Sequence, residues 1–426
     1  MKYRKRYADN ILQDKLETFG AVLITGPKGC GKTTTAKQAS ASIVEFQDED
    51  LRAGYLAVAA TSPSKLLDGP KPRLFDEWQD APKIWGAIRK YIDDSQLHGQ
   101  FILTGSTAAD VETPHTGTLR ISRMRMSPLS LFESEESNGT VSLKELFDHP
   151  EKFDGCHSDL DIDSLIYAIC RGGWPSTFTI TDKKHSLMVV KDLFDQTCDI
   201  DASRIGGKSR NPQWLRQILR SYARNICTLA DNKTVLADVM ANTGLTEPTY
   251  YEYVQALEKL FIIEDVEAWC PAIRSKSAIR ASRKKNLVDP SIAVAALDIE
   301  PELFNTDFHT LGFLFESLCI RDLKIYSSPY GGTVSYYHDR YGLEADAVLH
   351  LADGRYALCE IKLGQNEVDD GAKHLLEIEE LVKKHNEDET QVPLRLPDLK
   401  IVITGTEYGY RRDDGVFVIP IGCLKG

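Results

Sequence analysis

The chain has 426 residues, of which 42% are hydrophobic and 27% charged, and a formal net charge of −12 at pH 7. Its length predicts roughly two to four globular domains. It holds no apolar run near the ~20 residues that cross a bilayer, and no apolar stretch follows the basic N-terminus, so neither a membrane span nor a secretory signal is expected. Because Asp and Glu outnumber Lys and Arg, we do not expect a protein that binds along nucleic acid through its overall charge. A local basic groove is not excluded.

The nine cysteines are scattered, with no CxxC pair and no Cys/His cluster. This spacing favours buried free thiols in a reducing cytoplasm over a zinc site or a disulfide framework.

A glycine-rich segment near the N-terminus predicts a phosphate-binding loop. Residues 26–33 read GPKGCGKT, follow the apolar run 21–25 and precede a helical pattern from Lys32 to Ala41. Strand, loop and helix in this order are the setting that a P-loop requires. The lysine would reach the β- and γ-phosphates of ATP, and the threonine hydroxyl would hold Mg²⁺. The predicted nucleotide contacts are Gly26, Pro27, Lys28, Gly29, Cys30, Gly31, Lys32, Thr33 and Thr34.

Two further apolar strands end in residues suited to hydrolysis. Asp76 and Glu77 close the strand 74–75, and Thr104 and Ser106 follow the strand 101–103. We expect Asp76 to support the magnesium ion and Glu77 to polarise the attacking water. The two hydroxyls would sense the γ-phosphate, although a plain turn is the alternative. Strands alternating with helices, such as 84–92, predict a parallel sheet.

Phosphoryl transfer also needs a cation, usually an arginine, which a neighbouring subunit can supply. The sequence does not choose among the candidates, and a surface arginine is the alternative for each. They are Arg120, Arg123, Arg125, Arg171, Arg210 and Arg224.

The middle of the chain changes pattern twice. Residues 133–160 are polar and acidic and predict a loop or linker, and 161–230 show helical periodicity that breaks at Gly172-Gly173-Trp174-Pro175. Residues 233–268 predict three short helices followed by a strand at 261–266. A turn at Gly244, an N-cap at Thr246 and a stripe of apolar residues resemble a winged helix-turn-helix. The stripe consists of Tyr250, Tyr253, Leu257 and Leu260.

The segment 274–285 carries six Lys/Arg and no acid. It is a candidate for contact with DNA, and a solvated loop is the alternative.

Near the C-terminus, residues 344–362 alternate in polarity around the Asp353-Gly354 turn and predict a β-hairpin. Asp346 lies on its first strand, and Glu360 and Lys362 share one face of the second. Glu316, a polar residue within the predicted helix 308–324, could join them. This is the layout of a PD-(D/E)xK nuclease core, in which Glu316, Asp346 and Glu360 would bind Mg²⁺ or Mn²⁺ and Lys362 would position water. An ion-paired, solvated strand face is the alternative.

The order of these motifs is distinctive. GPKGCGKTT, RLFDEWQDAP, FILTGST, SPLSLFE and GGWP, followed by the winged-helix pattern and the hairpin EADAVL…CEIK, resemble a bacterial and archaeal family of AAA+-type ATPases. The C-terminal domain of that family is of unknown function and built on a PD-(D/E)xK nuclease core. The resemblance covers essentially the whole chain. Lys28 stands where the family usually has arginine, and Leu119 replaces a common glycine just before Arg120, which is retained.

The resemblance implies an α/β fold with four parts. They are a P-loop AAA+ ATPase core with a parallel sheet at 1–132, a linker and helical lid at 133–230, a winged helix at 231–290 and a PD-(D/E)xK nuclease-like α/β domain at 291–426. The leading hypothesis is a cytoplasmic ATPase that acts on DNA, with a nuclease-fold C-terminal domain that binds or cleaves DNA. It would be a ring or dimer if the arginine comes in trans. The alternative is a regulatory ATP switch of the signalling-ATPase type that binds a protein partner and keeps a non-catalytic nuclease fold.

Overall fold

The computed structural model describes residues 3–105, 117–202, 209–271, 282–387 and 393–426. The predicted sensor Ser106 and residues 274–281 of the basic run lie outside the described residues. None of the helices within these ranges combines the length and the apolar character needed to cross a membrane.

The N-terminal part is a five-stranded parallel sheet flanked by helices. The spatial order is β2-β3-β4-β1-β5, so β4 lies between the strand before the P-loop and the strand that ends in Asp76. The carboxyl ends of β1, β3 and β4 therefore meet at one edge. The strands are β1 (Ala21–Thr25), β2 (Ser42–Glu45), β3 (Arg73–Asp76), β4 (Phe101–Gly105) and β5 (Ile121–Arg125). The helices are α1 (Tyr7–Thr18), α2 (Lys32–Ala39), α3 (Arg52–Thr61) and α4 (Lys83–Ser95).

Burial explains why this part forms. β1 and β4 are apolar along most of their length and are covered on both faces, which suits central strands of a parallel sheet. α4 buries Ile84, Ile88 and Ile92, a spacing that forms one helical stripe against the sheet.

Helices dominate the middle of the chain. They are α5 (Leu143–Asp148), α6 (Ile162–Arg171), α7 (Lys183–Gln196), α8 (Pro212–Arg224), α9 (Asn232–Thr243), α10 (Glu247–Lys259) and α11 (Pro290–Leu297). Five of them begin at an Asp or Asn whose side chain accepts a backbone N–H of the first turn, which supplies a partner that the helix itself cannot. These caps are Asp161, Asp182, Asn211, Asp231 and Asp289.

The C-terminal part is a seven-stranded mixed sheet between two long helices. Its order is β7-β12-β13-β11-β10-β9-β8, where β7 (Cys156–His157) comes from the middle of the chain. β8, β9 and β10 are antiparallel, and β11 is parallel to β10. The predicted hairpin is confirmed, since Tyr356 pairs with His350 across the turn. The elements are α12 (Phe308–Ser327), β8 (Thr333–His338), β9 (Glu344–His350), β10 (Tyr356–Lys362), α13 (Val368–Glu387), β11 (Leu399–Thr404), β12 (Tyr408–Arg411) and β13 (Phe417–Pro420).

The segment 133–160, predicted as a loop or linker, instead contains α5 and two short strands that pair with the C-terminal part, so the prediction is wrong for these elements. β6 (Val141–Ser142) pairs with β14 (Leu424–Lys425), and β7 (Cys156–His157) pairs with β12. Five of its polar residues are buried, namely Glu133, Ser134, Ser137, Ser142 and Ser158, whereas most of the others are exposed. Ser137, for example, donates to the Leu424 carbonyl at 2.7 Å.

The two domain boundaries predicted at 230/231 and 290/291 also do not coincide with gaps in the packing of the helices. α8 packs against α9 across 230/231, and α11, which itself spans 290/291, packs against α6, α7 and α8. Within 233–268 there are two helices rather than three. In place of the predicted strand 261–266, Ile263 and Val266 form isolated bridges with Leu287 and Lys284.

Candidate functional site

The loop 26–33 has the backbone conformation that its glycines allow. Gly26, Gly29 and Gly31 have φ values of 148°, 82° and 99°, which residues with a Cβ rarely adopt. At Gly26 a Cβ would lie 2.1 Å from the Met126 carbonyl oxygen, so no other residue fits there. Gly31 leads directly into α2, whose N-terminus is the positive end of the helix dipole. The loop therefore presents backbone amides to an anion.

Lys32 is buried and folds back over this loop. Its Nζ donates to the carbonyl oxygens of Gly26 and Pro27 at 3.0 and 2.9 Å. Lys28, the position where the family usually has arginine, is half exposed and pairs with Asp201 at 3.2 Å. Lys32 is thus held at the loop itself, whereas Lys28 points to a neighbouring helical segment.

Three oxygen-bearing side chains meet at the edge of the sheet beside the loop. The hydroxyls of Thr33 and Thr104 donate to Asp76 Oδ1 at 2.7 and 2.5 Å. The sequence predicted roles for all three, and the strand order explains why they meet. Hydroxyl and carboxylate oxygens are the ligands that Mg²⁺ prefers. Thr33 and Asp76 thus fit a magnesium ion bound beside the phosphates.

Glu77 follows Asp76 in an unusual backbone conformation. Its φ is 51°, in the left-handed region that costs a residue with a side chain about 1 kcal/mol or more. Its backbone N–H donates to Thr104 Oγ1 at 3.4 Å, and its carboxylate accepts a hydrogen bond from the Gln79 amide. The turn directs Glu77 away from the line of β3, and strain of this kind is often retained at functional sites.

Sequence reasoning missed two groups that brace the P-loop. Arg6 is buried and donates to the carbonyl oxygens of Cys30 and Ser127 at 3.1 and 2.8 Å. Trp174 and Pro175, from the GGWP motif, lie against Gly29 and Gly31. The sequence predicts no contact with the P-loop for the GGWP motif or for the N-terminal arginine.

The candidate arginines are placed differently from what their spacing suggested. Arg120 lies at the amino end of β5, whereas the P-loop follows the carboxyl end of the adjacent β1. A five-residue strand is about 16 Å long, so Arg120 does not reach its own P-loop. Its guanidinium pairs with Asp93 at 2.7 Å. Leu119 keeps a φ of 68°, a conformation that the glycine common at this position takes more easily.

Other candidates are engaged elsewhere. Arg171 is buried and makes two 2.8 Å bonds to Glu136. Arg125 pairs with Glu264 at 3.0 Å, and Arg224 is exposed beside Asp238 at 3.8 Å. Arg210 donates to the Ala202 carbonyl at 3.4 Å, and Arg123 is exposed on β5. None of these contacts involves the P-loop.

In the C-terminal domain the four predicted residues do come together. Glu360 and Lys362 both lie next to Gly371 of α13, which confirms that they share a face. Lys362 Nζ is 2.6 Å from Glu360 and 3.6 Å from Asp346. Glu316, from α12, faces the same region. A cavity of about 980 Å³ is lined by Glu316, Asp346 and Lys362, so solvent reaches this group.

A fifth residue, Lys284, completes this group. It is 3% exposed, and its Nζ lies 2.7 Å from Glu316 Oε1 and 3.9 Å from Asp346 Oδ1. The sequence placed Lys284 in a basic run that was expected to be solvated or to contact DNA. This is wrong for Lys284 and Lys285, which are both buried. Lys285 pairs with Asp265 at 2.8 Å.

The expected metal set of Glu316, Asp346 and Glu360 is therefore not formed. Lys284 lies between the first two carboxylates and Lys362 between the last two. Among the described residues, no three His, Cys, Asp or Glu side chains are arranged to share a metal ion. The donor set in this arrangement fits two ammonium groups rather than a divalent cation.

Burial controls the ionisation of this centre. It raises the pKa of Glu316 to about 8, against the opposing effect of Lys284, and raises that of Glu360 to about 9, with Asp346 adding to the rise. Burial opposes the charge of Lys284, but Glu316 and Asp346 outweigh it and raise the lysine pKa above its usual value. Burial likewise opposes the charge of Lys362, but Asp346 and Glu360 outweigh it and raise the pKa of that lysine above its usual value.

A short segment connects this centre with the P-loop. Lys284 begins it, and Asp289, five residues on, is fully buried and accepts from the Gly173 amide and from Arg321 of α12, at 3.0 and 2.8 Å. Ser291 accepts from the indole of Trp174 at 2.9 Å. The segment 284–291 thus contacts the C-terminal carboxylates at one end and the residue beside Gly29 at the other.

Comparison with known proteins assigns three regions. Residues 18–135 match the family described as an AAA domain. Residues 162–303 and 311–424 match two domains of unknown function, DUF8612 and DUF4143. The first of these matches spans most of the helical region as one unit and crosses the boundary that the sequence predicted at 230/231.

Individual relatives are distant. An uncharacterised protein of Mycobacterium tuberculosis is 22% identical over 366 residues, which cover 85% of this chain and 74% of that protein. Among solved structures, the Walker-type ATPase of Pyrococcus abyssi is 15% identical with a TM-score of 0.44, covering 69% of this chain and 96% of that one. A signal transduction ATPase (STAND) protein of Pyrococcus horikoshii is 14% identical with a TM-score of 0.24, covering 75% and 48%.

The domain match covers the P-loop, the strand ending in Asp76 and the strand ending in Thr104. These are the residues whose side chains meet beside the loop. Residues 18–135 therefore form a P-loop domain of the AAA type.

Proposed function

We propose that this chain binds ATP at residues 26–33 and hydrolyses it. The loop amides and Lys32 hold the phosphates, and Thr33 and Asp76 hold Mg²⁺. When bound, the ion would neutralise charge on the β- and γ-phosphates. Glu77 orients the attacking water and accepts its proton, and Thr104 positions Asp76 and the backbone of Glu77. The contact of Thr33 and Thr104 with one oxygen of Asp76 carries this proposal, because it joins the three elements that hydrolysis requires.

Glu77→Gln is expected to bind ATP with an affinity within about 3-fold of the parent but to lower kcat by about 100-fold or more, the usual effect of losing a general base. Steady-state turnover and binding of a fluorescent ATP analogue measure the two quantities. Asp80→Asn, three residues on and paired with Arg52 at 3.2 Å, is the matched control and keeps its turnover. Turnover within 3-fold of the parent in Glu77→Gln would remove Glu77 as the base.

We further propose that the arginine for phosphoryl transfer comes from a neighbouring copy of the chain, and that it is Arg120. The proposal is supported by the position of Arg120 at the amino end of β5, away from its own P-loop, where 40% of its side chain is exposed beside Asp93. Arg171, by contrast, is buried and paired with Glu136 within the chain. Such a site implies a ring or dimer.

Arg120→Ala is expected to lose turnover but keep ATP binding. Mixing it with Glu77→Gln should restore activity, because a Glu77→Gln subunit supplies the arginine to a site with an intact Glu77. Arg89→Ala, which also removes a partner of Asp93, is the control and keeps its turnover. A mixture no more active than the sum of its parts would contradict an arginine in trans.

For the C-terminal domain, we propose a nuclease-like core that engages DNA under the control of the ATPase. The order of α12, three antiparallel strands, α13 and the parallel β11 supports this core, as does the cluster of Glu316, Asp346 and Lys362. The segment 284–291 supports control, because it contacts both this cluster and Trp174. Cleavage is not proposed for the arrangement described, since the carboxylates are paired with lysines.

ATP turnover should rise on addition of duplex, branched or single-stranded DNA. The stimulation should fall steeply between about 50 and 200 mM salt, because binding through phosphates releases counterions. Polyglutamate, an anion without nucleotides, serves as the control and should not stimulate.

A regulatory ATP switch with a non-catalytic C-terminal domain is the second candidate, and Lys284 between Glu316 and Asp346 favours it. A turnover that ignores every nucleic acid, with Glu77→Gln still defective, would contradict the action on DNA and leave this switch as the function.

A further inference from the structure

Lys284 is held at the C-terminal carboxylate centre from several directions. Its backbone exchanges hydrogen bonds with Val266 at 2.8 and 2.9 Å, which fixes the segment beside the cavity. Its Nζ donates to Glu316 at 2.7 Å and to the backbone oxygen of Asp346 at 3.4 Å. The Tyr336 ring lies 5.6 Å from the same Nζ. The position of this ammonium is therefore determined by the fold and not by a flexible surface side chain.

Two ammonium groups already lie among the three carboxyl groups of the centre without a metal. Glu316, Asp346 and Glu360 supply up to three negative charges, and Lys284 and Lys362 supply two positive ones. Two ammonium groups carry the same total charge as one divalent cation. Adding such an ion to both lysines would leave excess positive charge in a buried region, where an uncompensated charge is costly.

The geometry also opposes a metal ion while Lys284 is in place. Mg²⁺ needs oxygen ligands at about 2.0–2.1 Å that converge on one point. The ammonium at 2.7 Å from Glu316 occupies the space between that carboxylate and Asp346. Asp346 Oδ2 also accepts the Ile361 amide at 2.8 Å. The cavity reaches the same side chains, so what opposes the ion is the lysine and not lack of access.

We infer that Lys284 is a built-in cation that takes the place of a divalent metal between Glu316 and Asp346 and keeps this centre metal-free. The inference rests on the proposed nuclease-like core in one respect only, which is that the ion displaced by Lys284 would be a divalent metal. It is independent of ATP hydrolysis, because it depends on contacts of Lys284 that do not include the P-loop. Release of Lys284 would turn the centre into a metal site.

Binding of Mn²⁺ to the full chain without nucleotide tests this inference. All variants carry Asp76→Asn, which removes the metal ligand beside the P-loop, and electron paramagnetic resonance measures free Mn²⁺. With Lys284 present, no Mn²⁺ should bind that a further Asp346→Asn removes. Lys284→Met, which keeps the apolar stem without the charge, should gain about one Mn²⁺ per chain and lose it again with Asp346→Asn.

Two controls separate charge from folding. Arg283→Met removes the neighbouring exposed cation, which pairs with Glu267, and should gain nothing. Lys284→Arg keeps the charge and should also gain nothing. Mn²⁺ should raise the melting temperature of Lys284→Met alone.

Two results would overturn the inference. One is Mn²⁺ that binds to the chain with Lys284 intact and is lost on Asp346→Asn. This result does not depend on whether a variant at Lys284 folds. The other is a folded Lys284→Met that binds no more Mn²⁺ than its parent. Loss of DNA-stimulated turnover with these metal results unchanged would affect only the proposed function.

Discussion

The buried carboxylate of Asp289 is the contact on which the arrangement of the chain depends. It has no exposed surface, caps α11 through the Ser291 amide at 3.0 Å, and accepts from Gly173 and Arg321. Arg321 also pairs with the adjacent Asp322, which accepts the Leu131 amide at 2.9 Å. One ionic network thus ties the end of the ATPase domain, the GGWP motif, the helical region and α12. Removing one partner of such a buried pair usually costs about 3–5 kcal/mol.

This network connects the P-loop with the C-terminal carboxylates through residues that pack directly against one another. Gly173 cannot carry a side chain, because a Cβ would lie 2.1 Å from the Leu129 carbonyl oxygen. The next residue, Trp174, packs beside Gly29 of the P-loop. On the other side, Arg321 lies on the same helix as Glu316, about one and a half turns away. A change in the P-loop on nucleotide binding therefore has a short path through packed groups to the C-terminal carboxylates. Whether it shifts an equilibrium there is a matter of coupling and not of proximity.

The parts of the molecule that sequence predicted are those that depend on local patterns. The loop 26–33 and the strand ends at Asp76 and Thr104 follow from apolar runs closed by particular residues, and the hairpin at 344–362 follows from alternation about a turn. Their convergence follows from the parallel sheet, since strands of one direction end at one edge. The faces of Glu360 and Lys362 were likewise fixed by the two-residue period of a strand.

What sequence could not supply depends on pairing between distant residues. Val141 pairs with Leu424, and no local pattern connects them, so a polar segment was taken for a linker. Lys284 sits in a charged run, which favours exposure, yet Glu316 and Asp346 offset the cost of burying it. Alternation indicates the shared face of Glu360 and Lys362 but not the buried Lys284 between Glu316 and Asp346. Distance along the chain likewise does not show that Arg120 lies at the amino end of β5, away from its own P-loop.

The central claim is that the nucleotide state of the P-loop reaches the C-terminal centre through the segment 284–291. Amide hydrogen exchange on the Glu77→Gln chain, with and without ATP and Mg²⁺, tests it most directly. The account predicts that ATP slows exchange at 26–33 and also changes exchange across 284–291 and α12. A change confined to 26–33 and its neighbours in the ATPase domain, with 284–291 and α12 unaltered, would contradict it.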